Sequence, residues 1–375
     1  MRGFVDRSIL KPILKDLEKK MVFVAGPRQC GKTTLALNIL KNDRTRYINW
    51  DTYEGRATVL EHLFPQTAGY LVLDEVHKYA HWRNLLKGLY DARKETLKIL
   101  VTGSAKLDYY RKGGDSLQGR YHLIRMFPLS FFELGEKKQD VLKNLLMLSG
   151  FPEPFFSQSE IEARRWSREY RVRLVKEELT SLEKVSELSL VEELMVHLPK
   201  CVGSTLSINS LREDLQVSHQ TAARWLDILE RLYAFFRIYP FGSPRIKALK
   251  KESKHYHWDW NLIQNPGARF ENLVACHLMK WCCFVEDTEG WDMELRFYKD
   301  REQREVDFVI LKNRNPIEFV ECKLSVQNAS SSLRYLKQKF PQVNALQISF
   351  EPRSDVIDSH SIRLCDALTY LWEKV

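Results

Sequence analysis

The chain has 375 residues, more than one hydrophobic core usually serves, so two or three domains are expected. Hydrophobic residues make up 44% and charged residues 29%, an ordinary globular balance with no disordered tail, low-complexity block or fixed-period repeat. The net charge of +9, from 58 Lys and Arg against 49 Asp and Glu, suits a polyanionic partner and equally a plain basic soluble protein.

Seven cysteines, an odd number with no CxxC pair, argue for a reducing compartment rather than a disulfide framework. Cys276, His277, Cys282 and Cys283 cluster, but their spacing fits no common zinc pattern and reads as buried cysteines. The N-terminal stretch "MRGFVDRSILKPILKDLEKK" is too charged for a signal peptide, and no apolar run reaches the length of a membrane span. A cytoplasmic location and no membrane partner are the expectation.

The first informative element is "GPRQCGKTT", residues 26–34, between a β-rich "MVFVA" and a helical "KTTLALNILK". It fits G-x-x-x-x-G-K-[ST]. Gly26 and Gly31 permit the backbone angles that turn N–H groups toward a phosphate. Lys32 is placed for the β- and γ-phosphates, and the Thr33 hydroxyl for Mg²⁺. The nucleotide contacts are thus expected from Gly26, Pro27, Arg28, Gln29, Cys30, Gly31, Lys32, Thr33 and Thr34, with ATP and Mg²⁺ as cofactors. The alternative, a chance glycine turn, fits the flanking strand and helix poorly.

A further strand candidate, "TRYINWD" (45–51), precedes "GYLVLDEVHK" (69–78), whose apolar run reads as a strand buried on both faces. Asp74 at its end is positioned to hold Mg²⁺ and Glu75 to polarise the attacking water, which implies hydrolysis. The alternative for Glu75 is a surface carboxylate. "LKILVTGS" (97–104) follows, ending in Thr102 and Ser104, which are suited to sensing the γ-phosphate. A strand between the P-loop and Asp-Glu strands, together with that Glu, resembles the additional-strand branch of P-loop ATPases, which includes the AAA+ proteins.

"GPRQCGKTT", "LVLDEVHK", "LVTGS", "SLQGR", "FPLSFFEL" and "SGFPEP", in this order over nearly the whole chain, resemble the prokaryotic AAA-type ATPases that carry a C-terminal domain of unknown function. Cys30 stands where that family commonly has a valine-like residue. It is either a tolerated substitution or a point of thiol sensitivity. The resemblance implies a homo-oligomer formed through the ATPase domain. It also makes Arg120, before the fifth strand "YHLIRMF", a candidate arginine finger supplied in trans; the alternative is a structural Arg paired with a local carboxylate.

"SGFPEPFF" (149–156) reads as a boundary, followed by a long charged helical segment whose basic residues face either phosphate or solvent. Residues 207–241 then read helix, tight turn, helix, strand. Leu211 and Leu215 share a face of the first helix, Ser218 caps the second, and Ala222, Leu226 and Leu229 share one face of it. This is a winged helix-turn-helix pattern that presents His219, Gln220 and Arg224 to a DNA groove. "RIKALKKESK" (245–254), five Lys and Arg against one Glu, would supply the wing and phosphate contacts through Arg245, Lys247, Lys250 and Lys251. Winged helices in ATPases also serve as lids or subunit contacts, and that alternative stays open.

Three C-terminal pieces remain: a helix over 268–281 with Glu271, a strand over 304–311 with Asp307, and a strand over 317–325 with Glu321 and Lys323. If the intervening turn centres on residue 314, Asp307 lies opposite Glu321, and Lys323 shares their face. Two carboxylates at one spot repel unless a cation lies between them. Mg²⁺ held by Asp307, Glu321 and Glu271 answers that, with Lys323 beside the water. The pattern resembles the PD-(D/E)xK nuclease superfamily, in which the acids hold Mg²⁺ and the lysine assists attack on a phosphodiester. Alternating charges on a solvated strand face are the other reading, and a fold can outlive its chemistry.

The expected architecture is therefore α/β: a P-loop AAA-type ATPase domain (1–150), a helical linker and winged helix (151–255), and a restriction-endonuclease-like domain (256–375). The expected function is ATP hydrolysis at Lys32, Thr33, Asp74 and Glu75 coupled to DNA binding or cleavage, in repair, recombination or defence. The alternatives are a DNA motor that does not cut and a protein-binding switch.

Overall fold

The computed structural model describes residues 5–104, 107, 117–179, 187–242 and 253–374. They form two compact units, Met1–Leu129 and Ser130–Val375. Among the described residues no helix is long and apolar enough to cross a membrane.

The first unit opens with α1 (Leu10–Leu17) and β1 (Met21–Ala25), all five strand residues buried. Then come α2 (Lys32–Ile39), β2 (Tyr47–Asn49), α3 (Tyr53–Leu60), β3 (Gly69–Asp74), α4 (Trp82–Arg93), β4 (Leu97–Gly103) and β5 (Tyr121–Arg125). The strands pair in parallel in the order β2-β3-β4-β1-β5. An all-parallel sheet is covered on both faces, which is why β1, β3 and β4 are runs of Val, Leu and Ile. One core packs Phe23, Leu71, Leu73, Ile99 and Val101 against Trp82, Leu86 and Leu89.

The strands follow in the expected chain order, and their order in the sheet is different. "TRYINWD" lies between the two motifs along the chain, but β2 sits at the sheet edge beyond β3, and β4 is the strand between β1 and β3. Length and burial explain this. β2 has three residues and buries only Ile48, whereas β4 has seven and buries six, so β4 takes the covered interior position.

The second unit begins with α5 (Gln139–Leu148), α6 (Pro152–Ser157) and α7 (Glu160–Arg173), which runs into a π-helical turn, Leu174–Leu179. The "SGFPEP" stretch is the turn between α5 and α6, inside this unit. α7 buries Ala163, Trp166 and Tyr170 and turns its charged residues outward. α8 (Leu188–His197) and β6 (Thr205–Leu206) lead to α9 (Ile208–Leu215) and α10 (His219–Arg231). The tight turn expected between α9 and α10 is present: Gln216 takes a left-handed conformation, and the Ser218 side chain accepts from the Thr221 N–H at 3.0 Å. Leu211, Leu215, Ala222, Leu226 and Leu229 are buried where the two helices meet their core.

β7 (Phe235–Pro240) and β8 (Ser253–His257) pair antiparallel, with β6 on the far side of β8. α11 (Pro266–Glu289), β9 (Met293–Lys299), β10 (Glu305–Lys312), β11 (Asn315–Lys323), α12 (Ser331–Lys339), β12 (Asn344–Ser349), β13 (Val356–Ile357), β14 (Arg363–Asp366) and α13 (Ala367–Trp372) complete the unit. All nine strands join one sheet in the order β13-β14-β12-β11-β10-β9-β7-β8-β6. β7 changes partner along its length, from β8 over Phe235–Ile238 to β9 at Tyr239–Pro240. The segments expected as separate domains at 151–255 and 256–375 therefore share a continuous sheet.

Candidate nucleotide and acid-lysine sites

The phosphate loop leaves the C-terminal end of β1, where a parallel α/β sheet offers its ligand crevice. A Cβ on Gly26 would stand 1.9 Å from the Met126 carbonyl oxygen, so only glycine fits there. Gly31 has φ 102 at the start of α2, the left-handed region that favours glycine. Arg7 fixes the loop from below, donating to Cys30 O at 2.8 Å and to Phe127 O. Cys30 itself is fully buried, with its Sγ 3.5 Å from Met126 O.

Lys32 is buried, and its ammonium donates to the carbonyls of Gly26 at 3.0 Å and Pro27 at 2.6 Å. Asp74 ends β3 with Thr33 Oγ1 3.4 Å from its Oδ2, and it accepts from Thr102 Oγ1 at 2.5 Å. The Tyr47 hydroxyl also donates to Asp74; sequence reasoning missed it, since β2 carries no motif. Burial and the neighbouring Asp74 push the Tyr47 phenol up, which keeps it a donor. Ser104 follows β4, and its buried hydroxyl has no hydrogen-bond partner among the described residues. Thr33 and Asp74 thus lie together, Ser104 follows the strand beside β1, and the oxygen donors of Thr33 and Asp74 suit Mg²⁺.

Glu75 has φ 54, and its Oε2 lies 3.3 Å from Lys78 Nζ, which also holds Asp51 at 2.5 Å. His77 Nε2 stands 3.6 Å from the same oxygen. Arg120 makes a bidentate pair with Asp91 of α4, at 2.8 and 3.0 Å. Of the two readings left open for Arg120, local pairing is the arrangement present.

In the second unit the β10–β11 hairpin closes through Asn313 and Arg314, both at positive φ, as two-residue hairpin turns require. The ladder shifts by one residue between Ile310 and Leu311 and then runs to Phe308 opposite Val320. One further step sets Asp307 opposite Glu321. The register expected from a turn centred on 314 thus arises from a tighter turn plus a bulge. A second irregularity, between Val306 and Val309 on the β9 side, falls at Asp307, and bulges re-aim side chains in this way. The Asp307 Oδ2 accepts from the Cys322 N–H at 2.8 Å.

Glu321 is buried. Lys323 Nζ lies 2.7 Å from its Oε1, and its Oε2 has no hydrogen-bond partner among the described residues. Burial pushes the Asp307 carboxyl well above the ordinary range, with Glu271 and Glu321 adding to the rise. Burial also raises Glu321, against the pull of Lys323. For Lys323, burial opposes its charge, but Glu321 outweighs it and the pKa rises.

Glu271, expected as a further metal ligand, has other partners. The Tyr256 hydroxyl donates to its Oε1 at 2.7 Å, and Lys254 Nζ stands 3.3 Å from the same atom. Lys254 ends the basic stretch expected to face phosphate, yet it is 1% exposed. Its Nζ is 2.6 Å from Glu305 and 3.9 Å from Asp307. Burial works against the Lys254 charge, but Glu271, Asp307 and Glu305 outweigh it and raise its pKa. Among the described residues no group of three or more His, Cys, Asp or Glu is arranged to hold a metal ion. Two carboxylates, Asp307 and Glu321, remain available, which is enough for Mg²⁺, an ion that keeps several waters.

His219, Gln220 and Arg224 lie along the first turns of α10, and all three are exposed. Arg245, Lys247, Lys250 and Lys251 lie outside the described residues. Cys276, Cys282 and Cys283 are buried; the Cys276 thiol donates to His257 O at 3.2 Å, and His277 Nε2 accepts from the Phe131 N–H at 2.9 Å.

A parallel sheet with a phosphate loop after β1, an Asp-Glu pair after β3 and β4 between them defines a P-loop nucleotide-binding domain. Residues 18–135 match a family model described as an AAA domain (AAA_14), which supports an AAA-type, nucleotide-binding ATPase domain in this part of the chain. Residues 139–265 and 266–363 match two domains of unknown function, DUF8612 and DUF4143. Relatives include uncharacterized proteins of Mycobacterium tuberculosis (22% identical, 84% of this chain and 73% of that one), Haemophilus influenzae (20%, 85% and 87%) and Methanocaldococcus jannaschii (22%, 74% and 72%). Among solved structures, the Aeropyrum pernix ORC1 protein in complex with DNA is similar at 16% identity and a TM-score of 0.30, over 71% of this chain and 89% of that one.

Proposed function

We propose that this protein hydrolyses ATP in its first unit and uses the second to bind DNA and cleave it with a divalent ion. The observation that carries the nuclease reading is the face of the β10–β11 hairpin. There Asp307 meets Glu321, whose buried Oε2 lacks a partner, and Lys323 stands 2.7 Å from the other oxygen. Two raised carboxylates side by side are the electrostatic situation that a bound cation relieves.

In the first unit, Lys32 and the loop N–H groups would take the ATP phosphates, and Thr33 and Asp74 would hold Mg²⁺, which supplies charge neutralisation to phosphoryl transfer. Tyr47 and Thr102 hold the Asp74 carboxylate in one orientation. Ser104 offers its unpaired hydroxyl to the terminal phosphate. Glu75 orients water once its contact with Lys78 is released. In the second unit, Asp307 and Glu321 would hold the divalent ion, and the Lys323 ammonium would orient water and offset charge beside a phosphodiester. α9 and α10, followed by the β7–β8 ribbon, form the winged helix of this reading, with His219, Gln220 and Arg224 turned to the groove. The protein works as a cytoplasmic homo-oligomer in DNA repair, recombination or defence.

The pairing of Glu271 with Lys254 favours one alternative, a DNA-binding motor or switch that does not cut. Labelled duplex and forked DNA with Mg²⁺ or Mn²⁺, with and without ATP, separates the two. The proposal expects cleavage that disappears in Lys323→Ala. DNA binding without cleavage under every condition would leave the motor or switch.

A further inference from the structure

Four carboxylates converge from three elements of the second unit: Glu271 from α11, Glu305 and Asp307 from β10, and Glu321 from β11. Packed this way and half-buried or buried, they need positive charge nearby. Lys323 serves Glu321. Lys299 reaches the outer oxygen of Glu305 at 3.4 Å. Lys254, from β8, serves the other three at 2.6–3.9 Å and packs its ammonium 5.7 Å from the Phe297 ring centre.

The geometry splits the cluster in two. Asp307 turns Oδ1 toward Lys254 and Oδ2 toward the Cys322 N–H. Glu271 and Glu305 lie on the Lys254 side. Glu321, with its unpartnered Oε2, lies on the other side. A divalent ion beside Lys254 would meet a buried ammonium already shared by three carboxylates, whereas one between Asp307 and Glu321 would face the half-exposed Lys323 ammonium on Oε1 and find Oε2 still open.

We propose that Lys254 is a built-in cation filling the place of a second divalent ion, so that the acid cluster accepts one divalent ion at Asp307 and Glu321. The proposal rests on the reading of that pair as a divalent site. It makes Lys254 a positioning residue. It also ties the acid cluster to the β7–β8 ribbon that follows the helix-turn-helix, because Lys254 is delivered by β8.

Calorimetric titration of the full chain with Mn²⁺, without nucleotide, tests this. Wild type is expected to load one ion per chain. Lys254→Ala, and Lys254→Met as a variant that keeps the apolar packing, are expected to load one ion more and to gain more thermal stability from Mn²⁺ than wild type does. Lys254→Arg is expected to keep the wild-type count. No ion in wild type but one in the Ala or Met variant would defeat the Asp307–Glu321 reading and leave the role of Lys254 standing. Two ions in wild type, or folded Ala and Met variants with the wild-type count, would overturn the proposal. If neither variant folds, the wild-type count and Lys254→Arg decide.

Discussion

Each candidate site of this chain holds a buried lysine, and the two lysines are held in opposite ways. Lys32, at the phosphate loop, donates to two neutral carbonyls of its own loop. Lys254, at the acid cluster, faces three carboxylates. Hydrogen bonds from an ammonium to neutral carbonyls are worth about 1.5–3 kcal/mol each in net terms and can be exchanged for stronger ones to an arriving phosphate. A buried ammonium among carboxylates is a fixture, since removing either side leaves an uncompensated charge that costs about 3–5 kcal/mol. The contrast separates a cation poised for a ligand from one that replaces a ligand.

The largest expected effect falls on the first lysine. Lys32→Ala should lower ATP hydrolysis by about 10²–10³-fold, the usual cost of losing one preorganised group aimed at developing charge, while leaving Mn²⁺ binding by the second unit unchanged. Phosphate release and calorimetry on the same preparation check both halves. A variant that lost metal binding as well would erase the contrast.

At the acid cluster, Lys323→Ala should reduce divalent-dependent DNA cleavage by about 10²–10⁴-fold, the range of a general acid-base contribution, with ATP hydrolysis in the absence of DNA preserved. Gel assays with Mg²⁺ and phosphate-release assays measure the two activities separately.

A smaller effect sharpens the electrostatics. The raised pKa of Asp307 means that the folded metal-free chain holds a proton that the unfolded chain releases above the ordinary carboxylate range, about pH 4. Its ionisation therefore opposes folding as pH rises through that window. Asp307→Asn should raise the melting temperature of the metal-free protein at neutral pH, and the gain should shrink as pH falls toward the ordinary carboxylate range. A tenfold difference in proton affinity between the folded and unfolded chain corresponds to about 1.4 kcal/mol. Melting curves across that range in EDTA test it, and a gain that grew on acidification would reverse the assignment.

The smallest effect concerns Arg120. Its pair with Asp91 is partly exposed, so Arg120→Ala should change stability little and leave ATP hydrolysis near wild type. Hydrolysis lost in Arg120→Ala but regained on mixing with Lys32→Ala chains would instead assign Arg120 to a neighbouring subunit's site.

The nucleotide site was legible because it is nearly contiguous and built from backbone. Gly26, Gly31 and Lys32 lie in one short stretch, and glycine spacing prescribes their geometry. The pair α9 and α10 was legible for the same reason: Ser218 caps α10, and the apolar residues keep helical spacing. The Asp307–Glu321 register was legible by counting, although a tighter turn and a bulge produce it. Lys254 was not legible. It ends a basic run whose composition reads as phosphate-facing, and its carboxylates lie 17 to 53 positions further along the chain. Only the partner change of β7 brings β8 to them. Tyr47 escaped notice for a related reason, since a three-residue edge strand carries no pattern that announces a partner for Asp74.

The central claim is that nucleotide hydrolysis in the first unit serves DNA handling by the second. Phosphate release by wild type, measured with and without duplex and forked DNA and compared with Lys32→Ala, tests it most directly. The account predicts hydrolysis that DNA stimulates and that Lys32→Ala abolishes. Hydrolysis of the same rate with and without DNA would contradict it.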